Sequence, residues 1–171
     1  MHSHLVVVKS DKGQGEVRHV TVKNCILWNQ VAHALSIGAE LRQNVDDVLF
    51  TDCDVIHDIG REWTLRIYHC DSAVVSNVRF ENIRVEQTKK LISLWIGQQI
   101  WTRDPARGHI RNVTFKNVQA ISATPPQLEL KGYDPDHAIN NITFDGVTIN
   151  NQPLTQSQIK STFTKNITIT P

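Results

Sequence analysis

Apolar and polar positions recur in step along the chain. Five segments align without gaps, at residues 17–25, 45–53, 75–83, 110–118 and 139–147, and a partial sixth copy lies at 165–169. The first apolar position of each is Val20, Val48, Val78, Val113, Ile142 and Ile167, at spacings of 28, 30, 35, 29 and 25 residues. Two residues later stand Val22, Phe50, Phe80, Phe115, Phe144 and Ile169. A period of two within a unit predicts a strand. A recurrence near 29 predicts that each strand stacks on its copy one turn away.

Polar residues repeat as tightly. His19, Asp47, Asn77, Asn112, Asn141 and Asn166 precede the first apolar position, and Asn24, Asp52, Asn82, Asn117 and Gly146 follow it by four. Asn, Asp and Gly enter the left-handed backbone region at the lowest cost, which sharp corners require. A second strand set follows in each unit, at Ala34–Gly38, Leu65–Tyr68, Ile92–Trp95 and Gln127–Leu130, with Leu5–Val8 as its first member. Turns this short leave no room for a crossover helix, and no helical period appears. The pattern predicts an all-β chain wound as a right-handed parallel β-helix of about six turns, roughly 30 Å long. Phe50, Phe80, Phe115 and Phe144 should form an internal aromatic column. Cys25 and Cys53 share one repeat position; parallel stacking points both side chains the same way, which favours two free, buried thiols over a disulfide. Cys70 falls in a turn with no evident partner.

Composition agrees. Val, Ile and Thr number 48 against 19 for Ala plus Leu, the bias of a strand-rich chain. The 171 residues are read as one domain, 1–171, with 150–171 as a loose closing segment. A net charge of +1 gives no global field toward nucleic acid or an acidic membrane, and no apolar run is long enough to span a bilayer. Residues 1–8 lack the pattern of a signal peptide. A solenoid that enters a strand so early has an uncapped first turn. Either the chain is the C-terminal part of a longer β-helix, or a second copy stacks on the bare end as a homo-oligomer.

If Leu35/Ile37, Leu65/Ile67, Ile92/Leu94 and Leu128/Leu130 face inward, then Ser36, Arg66, Tyr68, Ser93, Trp95, Glu129 and Lys131 face outward on one sheet. With His33 at the strand entrance, such a row suits a polysaccharide or oligosaccharide, since aromatic faces stack on sugar rings and Arg grips carboxylates. The same row also reads as an ordinary solvated face. The longest spacing comes from an insertion at Gln98–His109 with Trp101, Arg103, Asp104 and Arg107, which is either a wall of the groove or a tolerated loop. Asp58 and Glu62 precede Arg66, either near the groove mouth or as solvated turn residues.

The run Ala32-His33-Ala34-Leu35-Ser36-Ile37-Gly38, followed by Thr64-Leu65-Arg66-Ile67-Tyr68, resembles the Gly-His-Gly-Leu-Ser-Ile-Gly and Arg-Ile-Lys motifs of glycoside hydrolase family 28, the polygalacturonases. The resemblance covers nearly the whole chain, as the C-terminal part of such an enzyme. It implies a pectin-lyase-like β-helix that hydrolyses glycosidic bonds, secreted or periplasmic, with no cofactor. It also implies that His33 assists catalysis and Arg66 binds the substrate carboxylate, to which the outward row of the strands adds Ser36, Tyr68 and Trp95 as residues beside the sugar. Three departures stand out. Ala32 and Ala34 replace glycines, Tyr68 replaces a Lys, and Ser3 and His4 stand where the family carries paired aspartates. Inverting hydrolysis needs two carboxyl groups ~6.5–9.5 Å apart, and this chain offers no evident pair beyond Asp58 and Glu62.

Other chemistries fit less well. Asp46, Asp47, Asp52 and Asp54 could suggest a lyase-like calcium cluster, but Asp47 and Asp52 are accounted for as corner residues. The eight His show no persistent metal-ligand spacing, so no metal site is expected, and no nucleophile elbow, phosphate loop or basic stripe appears. Asn112, Asn141 and Asn166 match glycosylation acceptors, yet the corner ladder already explains them. The expectation is a polysaccharide-acting hydrolase, or part of one, that lacks its acid pair. The alternative is a non-catalytic carbohydrate-binding or structural β-helix.

Overall fold

The structure is a computed structural model that describes residues 4–13 and 15–171. Its strands are β1 (Val6–Ser10), β2 (Val17–Lys23), β3 (Ile26–Trp28), β4 (Leu35–Leu41), β5 (Val45–Ile56), β6 (Leu65–His69), β7 (Val74–Glu86), β8 (Lys90–Ile96), β9 (His109–Ile121), β10 (Gln127–Lys131), β11 (Ile139–Asp145), β12 (Thr148–Ile149), β13 (Gln152–Pro153), β14 (Ile159–Thr162) and β15 (Thr164–Thr170). One sheet runs β1-β4-β6-β8-β10-β14, parallel throughout. The other stacks β2, β5, β7, β9, β11 and β15 in parallel. This is the parallel β-helix that the repeat predicts, with six strands in each stack.

The register follows the sequence alignment. Val20 pairs with Val48, Val48 with Val78, Val78 with Val113, Val113 with Ile142, and Ile142 with Ile167. The four Phe are fully buried, with ring centroids 4.9, 5.1 and 5.2 Å apart in nearly parallel planes. That spacing is the distance between hydrogen-bonded strands, so the backbone ladder itself sets the stacking distance.

The corners are left-handed, as the polar repeat requires. φ lies between 52° and 57° at His19, Asp47, Asn77, Asn112, Asn141 and Asn166, and between 51° and 64° at Asn24, Asp52, Asn82, Asn117 and Gly146. The amides form ladders of their own: Asn112 donates to Asn77, Asn141 to Asn112 and Asn166 to Asn141, at 2.9–3.1 Å. The Asp residues are engaged here as well, Asp46 by Ser76 and Asn77, Asp47 by His19 and Arg79, Asp52 by Asn82, and Asp54 by Arg84. A further corner, not apparent from the repeat, holds His57, Gln87 and Asn150 at φ of 54°, 66° and 51°.

Two expectations need correction. The segment 150–171 is not loose: β14 extends the first sheet, and β15 adds a sixth strand to the second with Ile167 over Ile142 and Ile169 over Phe144. Cys25 is only half-buried, because it sits on the first turn, where Val6, Val8, Val20 and Val22 are also half-covered. Cys70 follows β6 directly, in the connection where the sequence placed it, and is fully buried. All three cysteines are free thiols.

Truncation of Phe80, which has an aromatic neighbour on both sides, should cost about 3–5 kcal/mol. Urea unfolding of Phe80→Ala measures this; a loss below about 1 kcal/mol would mean the column contributes little to stability.

Candidate functional site

The outward face of the first sheet forms the floor of a cleft of about 740 Å³. His33 lies two residues before β4, while Ser36, Gly38 and Glu40 lie along that strand. Arg66 and Tyr68 lie on β6, one turn further along, and Arg61 and Glu62 stand at the entrance side. Gln99 and Trp101, beyond the end of β8, line the exit side.

The polar centre is His33 with Arg66. Arg66 pairs with Ser36 across the strands, and its guanidinium reaches back so that Nη1 donates to His33 Nε2 at 3.1 Å. Arginine has no acceptor, so Nε2 must accept. That leaves the neutral ring's proton to Nδ1, which faces both the Trp63 carbonyl and the Trp63 backbone N–H at 3.1 Å; with the proton on Nδ1 it is the carbonyl that is engaged. Burial, reinforced by the Arg66 charge, pulls His33 down to about 3, and it is neutral at physiological pH. Burial also lowers Arg66, though a guanidinium keeps its charge at neutral pH. Its plane lies 4.0 Å from the Tyr68 ring centroid, a cation–π contact. The His4 ring stacks parallel on His33 at 4.9 Å.

Glu62 stands 3.5 Å from Arg66, 3.8 Å from His33 Nε2 and 3.8 Å from Arg61. Glu40 pairs with Lys9 at 2.8 Å. Burial alone would raise the Glu40 carboxyl, but the hydrogen bond from Lys9 and a backbone N–H outweigh it and hold the group below its ordinary value.

The other expected site residues are placed as follows. Ser36 lines the cleft but is nearly covered, its hydroxyl donating to the Val6 carbonyl at 3.2 Å. Ser93, beneath Arg66 on β8, is fully buried. Trp95 pairs with Tyr68 and touches its ring at 5.1 Å, but the indole folds over Gly97 rather than into the cleft. Only glycine permits that, since a Cβ at 97 would overlap the ring. Gly38 is constrained in the same way: at φ 108° its position leaves no space for a Cβ beside the Tyr68 carbonyl.

Asp58 is not a solvated turn residue, and it does not line the cleft. It is 2% exposed, bound by Asn29 Nδ2 at 2.6 Å and by the Thr64 hydroxyl. Burial raises its carboxyl despite those bonds. Asn29 also donates to the Ala32 carbonyl at 2.8 Å, so Asp58 braces the turn that delivers His33. Sequence reading missed Lys9 and Glu40 as cleft residues, although Glu40 continues the alternation of Ser36 and Gly38. Ser3 lies outside the described residues.

Residues 6–168 match the sequence model of glycosyl hydrolases family 28. The chain belongs to that family. No curated protein and no solved structure gave a match. Membership accords with the β-helical architecture and with the motif segments, whose His33 and Arg66 meet in this family member at the cleft floor.

The burial of His33 has a pH signature. Its folded value near 3 lies below the 6.5 of an ordinary histidine, so the unfolded chain takes up the proton first as pH falls. The stability contributed by the neutral ring is complete above pH 6.5 and is lost progressively toward pH 3. His69, buried and lowered to about 4, acts in the same sense. In urea titrations between pH 7 and pH 4, His33→Gln should show a shallower decline in stability than the parent chain. Equal slopes would remove His33 as a source of the acid sensitivity.

Proposed function

We propose that the cleft holds an acidic oligosaccharide or polysaccharide, as part of a polygalacturonase-like glycoside hydrolase, with Arg66 receiving a sugar carboxylate and neutral His33 offering Nε2 to a hydroxyl or water once the carboxylate draws the guanidinium away. The observation that carries this reading is the cationic Arg66 set edge to edge with an uncharged His33 at 3.1 Å on the cleft floor. A guanidinium there offers several N–H groups to one anion, and the Tyr68 face beneath it keeps the plane oriented. Cleft-facing Glu62 stands beside the same cation and would give way to the incoming carboxylate or accept a sugar hydroxyl.

Turnover demands more than binding. Hydrolysis with inversion needs one protonated carboxyl at the leaving oxygen and a second, ionised one to activate water. Among the described residues the cleft carboxylates are Glu40 and Glu62, and both are engaged by cations. Asp58, whose carboxyl burial raises, is turned to Asn29 and Thr64 rather than to the cleft. This favours binding over turnover for these residues by themselves and keeps a non-catalytic carbohydrate-binding role as the second reading.

Calorimetric titration with galacturonate oligomers tests the first half. Arg66→Ala should weaken binding about ten- to hundredfold, the worth of one charge-assisted hydrogen-bonded contact, and unchanged affinity would overturn the reading. Reducing-end assays test the second half. Release of ends by the purified chain should be slight, and substantial hydrolysis abolished by Glu62→Gln would show that the acid machinery is present after all.

A further inference from the structure

The insertion between β8 and β9 is held by a buried polar framework. Asp71, just beyond β6, is fully buried, and its Oδ1 accepts the backbone N–H of Arg103 at 2.7 Å and of Asp104 at 3.0 Å. Arg42 Nε lies 3.5 Å from its Oδ2 and supplies the opposing charge. Asp104, 5% exposed, ties the loop to the body a second time, accepting from the Ser72 hydroxyl at 2.6 Å and pairing with Lys12 at 3.1 Å. Arg107, 6% exposed, closes the loop on itself by donating to the carbonyls of Gly97 and Asp104.

Charged side chains resist burial unless paired. A loop merely tolerated between strands would be held by turn residues and left in water. This one is anchored by two buried carboxylates and a buried guanidinium, and it leaves Trp101 46% exposed on the cleft wall, beside Gln99. The indole stands at the exit side of β8, whereas His33 and Glu62 stand at the entrance side of β4 and β6.

We propose that residues 98–108 form a fixed wall of the cleft which presents the Trp101 ring to a bound sugar, and that Asp71 is the positioning residue that holds the wall in place. The inference rests on the reading of the cleft as a saccharide site. The occupant is a pyranose ring of the same acidic oligosaccharide that Arg66 anchors, lying against the indole face. Trp101 would touch the ligand; Asp71 would act through the two N–H groups it fixes.

A galacturonate hexamer serves as the probe, titrated calorimetrically into four chains: the parent, Trp101→Ala, Asp71→Ala and the double variant. Trp101→Ala should weaken binding about three- to tenfold, as expected for one lost stacking contact, with an unchanged unfolding midpoint. Asp71→Ala should weaken binding to a similar degree, and the double variant should bind no worse than Trp101→Ala alone. Acrylamide quenching gives a readout that affinity alone does not: the Trp101 contribution, taken as the difference from the Trp101→Ala background, should rise in Asp71→Ala. If Asp71→Ala fails to fold, Asp71→Asn replaces it, retaining an acceptor for the two N–H groups and restoring near-parent affinity and quenching. Parent-like binding by Trp101→Ala, alongside lost binding in Arg66→Ala, would overturn the wall and leave the saccharide cleft standing. Fully additive losses in the double variant would overturn the positioning role of Asp71. Parent-like binding by Arg66→Ala, or no binding by the parent, would remove the cleft reading itself.

Discussion

Everything in this protein depends on one geometric constraint: hydrogen-bonded strands from successive turns lie in register, shifting in the first sheet only at Val8/Ser10 and Gln127/Leu128, so a core side chain has its equivalent directly above and below. Inside, that makes a continuous apolar column from Val22 through the four Phe to Ile169. Outside, it makes rows, and a row is already a groove. The outer positions of β4 and β6 place Ser36 against Arg66 and Gly38 against Tyr68, so residues some 30 apart in sequence meet by virtue of strand pairing alone. The first turn shows what the constraint is worth. With neighbours on one side only, Val6, Val8, Val20 and Val22 keep part of their surface in water, whereas the same positions one turn on are fully buried.

The electrostatics of the cleft follow from the same layering. Arg66 is too well buried to keep a full water shell and is compensated by softer partners: an imidazole lone pair, an aromatic face and one carboxylate at 3.5 Å. None of these neutralises it as a close bidentate carboxylate would. The guanidinium is thus left with attraction to spare for an anionic ligand, while burial and that same charge keep His33 uncharged. The pair sets a permanent cation beside an uncharged ring.

The fold was legible in the sequence because its signals are local and repeated. Two left-handed corners flank a strand of period two in five successive turns, mostly as Asn or Asp, which is the pattern a stacked coil requires. The core register could be written down from the alignment of Val48, Val78 and Val113. The site was legible in part. His33 and Arg66 were placed by strand set and come together; Trp95 was expected against a sugar and instead packs on Gly97 behind Tyr68. Direction along a strand is periodic, but the rotamer of a large ring at a strand end is set by what lies past it. Asp58 eluded the reading for a related reason. Its burial comes from Asn29, Thr64 and Thr88, residues of neighbouring turns in irregular segments where no period operates. The closing segment 150–171 reads as loose because it holds Pro153 and only a partial last repeat, yet within it β14 pairs with β10 and β15 with β11.

The corner amides carry a polarity that the apolar core lacks. Asn82 and Asn117 donate toward earlier turns, as do Asn77, Asn112, Asn141 and Asn166, and the strings end on the carboxylates of Asp46 and Asp52. Each string therefore behaves as a one-way relay of dipoles whose sink is an anion, the arrangement that lowers the energy of every link behind it. A revolution lifted out from between Asn77 and Asn141, or copied in, would meet its neighbours head to tail with no clash of donors. The solenoid is in this sense modular in length, and evolution can lengthen or shorten it by whole windings without recoding the corners.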